Sequence, residues 1–106
     1  MKLIRQLSLV PLIALTGCSE DPKSAIIGNW EGISLKQDLH FFKNGRAQIL
    51  DRKHGTYEGT CKFFDNDQLS CNFDRFAYPV IRSVDISGDK LYLTNKNGQE
   101  EIYRRK

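Results

Sequence analysis

The stretch Thr56-Tyr57-Glu58-Gly59-Thr60-Cys61-Lys62-Phe63-Phe64, then Asp65-Asn66-Asp67, then Gln68-Leu69-Ser70-Cys71-Asn72-Phe73, decides the fold. Apolar and polar side chains alternate on both sides of the polar triplet, which is the period of two of a half-buried strand. Three turn-forming residues between two such runs read as a hairpin. A loop over 65–67 sets residue 64 opposite 68, and therefore Cys61 opposite Cys71, within disulfide reach. Alternation then turns Tyr57, Cys61, Phe63, Leu69, Cys71 and Phe73 toward the core.

The same pattern continues in both directions. Apolar or alternating runs occur at about 26–35, 38–42, 46–51, 56–64, 69–76, 80–86, 90–94 and 99–105, separated by turns such as Lys43-Asn44-Gly45, Lys53-His54-Gly55, Ser87-Gly88-Asp89 and Lys96-Asn97-Gly98. Asn-Gly at two of these turns suits the positive φ that tight hairpins need. Leu39, Phe41, Ile49, Val84, Ile86, Leu91, Leu93 and Ile102 complete the expected interior. No segment sustains a helical period with caps. The class expected is all-β: a small up-and-down antiparallel barrel of about eight short strands, since closing a meander removes both exposed edges. Strands this short predict a filled interior rather than a deep cup.

The first residues have a different character. Lys2 and Arg5 precede the apolar run 7–15, too short to cross a bilayer and interrupted by Pro11, which is the grammar of an export signal. Leu15-Thr16-Gly17-Cys18 resembles the lipobox of bacterial lipoproteins. The resemblance implies a signal peptide over 1–17 and a Cys18 that carries the lipid anchor, through which the protein meets the membrane. Residues 18–25, polar and containing Pro22, read as a tether, and 26–106 as the barrel domain. Ser19 is not aspartate; in enteric lipoproteins, which this segment resembles, that implies the periplasmic face of the outer membrane. Cys61 and Cys71 remain as an even pair of the three cysteines, expected to bond in that oxidising compartment.

Removing 1–17 takes Lys2 and Arg5 from a chain of net charge +3, leaving 14 basic against 13 acidic residues in an 89-residue mature protein. A charge of +1 gives no basis for nucleic-acid binding.

Gly28-Asn29-Trp30 in the first strand and Arg104 in the last resemble the lipocalin, or calycin, signature, over residues 26–105. The resemblance implies a tryptophan closing one end of the barrel with an arginine across its indole, a cation on an aromatic face. The chain is roughly half the length of that family's usual members, so the closer likeness is to small lipocalin-like bacterial lipoproteins.

No catalytic set is visible, and the chain is not expected to be an enzyme. His40 lies on a strand facing outward and His54 in a turn, without metal-ligand spacing. Ser34, Ser70 and Ser83 lack a nucleophile elbow. Asp65 and Asp67 lack the rest of a calcium loop, and Glu100 and Glu101 point to opposite faces of one strand. No metal or cofactor is implied. Phe73-Asp74-Arg75-Phe76-Ala77-Tyr78-Pro79 mixes arginine with aromatics, a composition favoured at interface hot spots. Arg75, Phe76 and Tyr78 are the candidate partner contact; the competing reading is a loop folded over a barrel end. The first expectation is therefore a lipid-anchored module acting through its outer surface on another envelope protein, as an inhibitor, immunity or exclusion factor. The alternatives are a carrier of a small apolar ligand in a lipocalin-like cup and a structural envelope lipoprotein.

Overall fold

A computed structural model describes residues 21–106. The signal peptide expected over 1–17, Cys18 and Ser19 lie outside the described residues. One helical turn, α1 (Pro22–Ala25), precedes eight strands: β1 (Gly28–Gly32), β2 (Gln37–Phe41), β3 (Arg46–Asp51), β4 (Gly55–Phe63), β5 (Gln68–Phe73), β6 (Val80–Ser87), β7 (Lys90–Thr94) and β8 (Glu100–Arg105). Each strand pairs antiparallel with the next, and β1 pairs with β8, so the sheet closes into a barrel.

Alternation builds the interior as expected. Leu39, Phe41, Ile49, Leu69, Cys71, Phe73, Val84, Leu91 and Leu93 are buried in one cluster, with Tyr57, Cys61, Phe63 and Ile86 partly buried against it. Cys61 lies opposite Cys71, and the two form a disulfide. The Phe64 N–H donates to the Gln68 carbonyl at 3.1 Å, closing the hairpin around 65–67. Gly59 sits where a Cβ would run into the Asn72 carbonyl and the Phe73 ring, so the β4–β5 pair approaches closely there because Gly59 has no side chain.

The last strand departs from expectation by one residue. Tyr103, not Ile102, is fully buried. In β8 Tyr103 pairs with Leu91 and Gly32, while Ile102 pairs with the outward Tyr92. A slip of one position exchanges the two faces of a strand, so Arg105 falls on the inward side and Arg104 outside, opposite Glu31 and Lys90.

Chain direction sorts the loops onto two ends. The connections 42–45, 64–67 and 88–89 share one end with α1, and the connections 33–36, 52–54, 74–79 and 95–99 lie at the other. Asp21 caps α1 by accepting from the Lys23 N–H at 3.2 Å, and Pro22 occupies the first turn, where its missing N–H does no harm. Ala25 and Ile26 are buried. Packing of the barrel thus extends back to Ala25, inside the span 18–25 expected to be tether.

On the outer surface Asp38 meets Arg52 at 2.8 Å and Lys106 at 3.2 Å, and accepts from the Gly32 N–H at 3.2 Å. Burial opposes its ionisation, but these partners outweigh burial and hold the carboxyl below the usual carboxylate range. A carboxyl depressed on folding contributes stability that is present above its unfolded pKa and is lost as pH falls through its folded value. Asp38→Asn is therefore expected to destabilise the protein at pH 7, with the gap to wild type narrowing toward pH 2.5. Urea midpoints at the two pH values measure it, and a constant gap would remove Asp38 from the acid response.

Candidate functional site

The two ends of the barrel are built differently. At the α1 end, Trp30 is fully buried and its Nε1–H donates to the Ile26 carbonyl at 2.8 Å. The Arg105 guanidinium lies 4.2 Å from the indole centroid and donates to the Ala25 carbonyl at 3.0 Å. One aromatic and one cation thus hold the N-terminal segment across the barrel end. Gly28 has φ +131°, a backbone conformation that favours glycine, and its missing Cβ would stand 3.9 Å from the Arg105 guanidinium. The arginine over Trp30 is Arg105, not the Arg104 that the resemblance implied. Arg105 makes the stack because its position faces the Trp30 side of the β1–β8 pair. Arg105→Ala is accordingly expected to cost about 1–3 kcal/mol, through loss of the stack and the charge-assisted hydrogen bond. Arg104→Ala should stay within about 0.5 kcal/mol. Thermal unfolding of the two variants distinguishes them, and equal effects would contradict this geometry.

At the other end a cavity of about 290 Å³ enters the barrel. Its walls are mostly apolar: Leu39, Phe41, Ile49, Leu69, Phe73, Val80 and Leu93, with Leu35 and Phe76 contributed by the loops of that end. The filled interior expected from strand length holds around the fully buried Trp30 and Leu91, and fails for the cavity, which runs from the mouth down to Phe41 and Leu69.

A polar corner completes the cavity. Gln37, Arg82, Glu101 and Tyr103 line it from β2, β6 and β8. Gln37 Nε2 donates to the Tyr103 hydroxyl at 3.0 Å, and that hydroxyl donates to Glu101 Oε1 at 3.2 Å. Arg82 reaches Glu101 Oε2 at 3.3 Å. Burial raises the Tyr103 pKa well above the usual phenol value, against the lowering effect of Gln37, so the hydroxyl keeps its proton to donate. Sequence reading missed this corner. The signal was parity: Gln37 is in phase with Leu39, Arg82 with Val84, and Glu101 with Tyr103. Glu101 turns inward because a phenol and a guanidinium receive it there.

The aromatic loop after β5 sits at the rim. Phe76 packs edge to face on Phe73 and Tyr57, with centroids 5.7 and 5.6 Å apart, and Arg75 lies 5.1 Å over the Tyr57 ring. The loop therefore folds over the barrel end, while Arg75 and Phe76 both keep exposed surface, 42% for Phe76. None of these ring contacts includes Tyr78, which is 82% exposed. His40 stacks on Phe42 on a strand, and His54 pairs with Asp51 in the β3–β4 turn. Among the described residues no three His, Cys, Asp or Glu side chains gather as metal ligands would. No known protein-family model matches the chain, and no curated protein is significantly similar to it, so its function is read from the site alone.

Proposed function

We propose that this chain is a lipid-anchored carrier that holds a small apolar ligand in the mouth of its barrel, at the periplasmic face of the outer membrane. The observation that supports this reading most is the cavity of about 290 Å³, apolar over most of its wall and bounded by one polar corner. Ligand sites are concave, mainly apolar and marked by a few placed polar groups, and this volume stands at the small end of their range. Anchoring rests on the likeness of residues 15–18 to a lipobox.

The test uses the mature chain exported with Cys18→Ala, which leaves it unacylated, and n-butylbenzene as an apolar probe of the cavity. Calorimetric titration is expected to show one site in the parent and none in Val80→Phe, which places extra carbons in the mouth. No binding to the parent, or equal binding to both, would remove the cup. Metabolic acyl labelling of wild type against Cys18→Ala tests the anchor separately.

A second reading, contact with another envelope protein, is favoured by the exposure of Tyr78 together with Ile81 three residues on. A photocrosslinker at position 78 in the native envelope should then capture one protein; no adduct would count against it.

A further inference from the structure

We infer that the ligand of this cup is a neutral amphiphile, an apolar body ending in an uncharged hydrogen-bond acceptor of the ester or amide carbonyl class, which is received by Arg82. The inference rests on the cup reading and deepens it.

Arg82 is the cation of the polar corner, and two of its five N–H groups have protein acceptors. Its Nη1 donates to the Ile81 carbonyl at 2.9 Å and its Nη2 to Glu101 at 3.3 Å. Its Nε has no protein acceptor but is closed to any water-sized group, so a ligand in the cavity meets the Nη1 and Nη2 end of this partly exposed side chain instead. An N–H that gives up water on ligand entry without gaining an acceptor is costly, so a ligand that supplies one is bound in preference to one that does not. Glu101 already accepts from Arg82 and Tyr103, and Tyr103 both accepts from Gln37 and donates to Glu101. The guanidinium therefore still offers donors to an acceptor.

Charge decides which kind. The Arg82 cation is already matched by the Glu101 carboxylate in direct contact with it. A ligand carboxylate drawn to the same guanidinium would stand beside a like charge in a half-enclosed site, where repulsion is poorly screened. A carbonyl oxygen meets the donor without that conflict. Size follows from the cavity: at about 30 Å³ for each water-sized group, 290 Å³ takes about ten non-hydrogen atoms.

Three probes of about that size separate the possibilities: methyl heptanoate, which has a neutral acceptor; octanoate, an anion; and n-butylbenzene, which has neither. On the unacylated mature protein the ester is expected to bind at least about tenfold tighter than the other two, as a hydrogen bond from a charged donor would give. Glu101→Gln leaves the cation unmatched and should reverse the order of ester and octanoate. Arg82→Met removes the donor and should make ester and butylbenzene equal, which keeps the inference testable if the first variant does not fold. Octanoate binding the parent as tightly as the ester overturns the charge argument, as does an unchanged order in Glu101→Gln. Equal binding of all three overturns the acceptor while leaving the cup intact. Failure of all three to bind overturns the cup itself, and the inference with it.

Discussion

Trp30→Ala is expected to destabilise the protein by about 3–5 kcal/mol, the range for deleting a fully buried aromatic. The total stability of a domain of this size is about 5–15 kcal/mol, so such a loss brings the protein near unfolding at 37 °C. Three things disappear together. The indole volume leaves a void at the α1 end, the Ile26 carbonyl loses its donor, and Arg105 loses the face on which it lies. Trp30→Phe keeps most of the ring while removing the N–H, and should cost about 1–2 kcal/mol. Because Trp30 is the sole tryptophan, far-ultraviolet circular dichroism rather than intrinsic fluorescence must follow the urea transition. A loss below about 1 kcal/mol in Trp30→Ala would mean that the α1 segment, not the indole, closes that end.

The second large effect is expected from Cys61→Ala/Cys71→Ala. The bond closes a loop with a sequence separation of 10 residues. Chain entropy then gives about 2.7 kcal/mol, lost when the unfolded hairpin is released from the cross-link. Loss of two sulfurs from the core adds to this, since Cys71 is buried among Leu69 and Phe73. Reducing the wild-type bond leaves the side chains in place and so isolates the entropic part. A midpoint that reduction does not move would show that the hairpin register is already held by its turn and cross-strand pairs.

These two expectations draw on features of unequal legibility. The hairpin at 56–73 was readable because its turn chemistry and its alternation agree, and the loop length alone places Cys61 opposite Cys71. The eight strands follow for the same reason, with boundaries displaced by up to three residues. The last strand was harder. Glu100-Glu101-Ile102-Tyr103-Arg104-Arg105 carries a plausible inward residue on both parities, and an aliphatic side chain is the natural choice when only hydrophobicity is weighed. Tyr103 occupies the interior because its ring fills the core while its hydroxyl finds Glu101 on its own strand and Gln37, which β2 supplies only after the barrel has closed. The error at Ile102 and the error at Arg104 are one error, a single step in register. The mouth cavity was hidden by a similar coupling. Strand length speaks for a filled barrel, but Gln37, Arg82 and Glu101 place polar groups at inward positions of one end, where they cannot pack as aliphatic chains would. Tyr78 was legible as a projecting aromatic; its neighbours Arg75 and Phe76 were not separable from it without seeing Tyr57 beneath them.

The placement of α1 sets the geometry of supply. Asp21 follows Cys18 by three residues, a reach of about 10 Å when extended, and it enters at the end sealed by Trp30. An acyl group on Cys18 would seat that sealed end against the bilayer, with the barrel standing on it as a pedestal. Strands of five to nine residues at the tilt of a small barrel raise the opposite rim by roughly 15–20 Å. The vestibule then opens toward the aqueous compartment rather than toward the acyl chains. For a chain anchored and loaded as proposed, cargo would reach this mouth from the aqueous side rather than from the acyl chains.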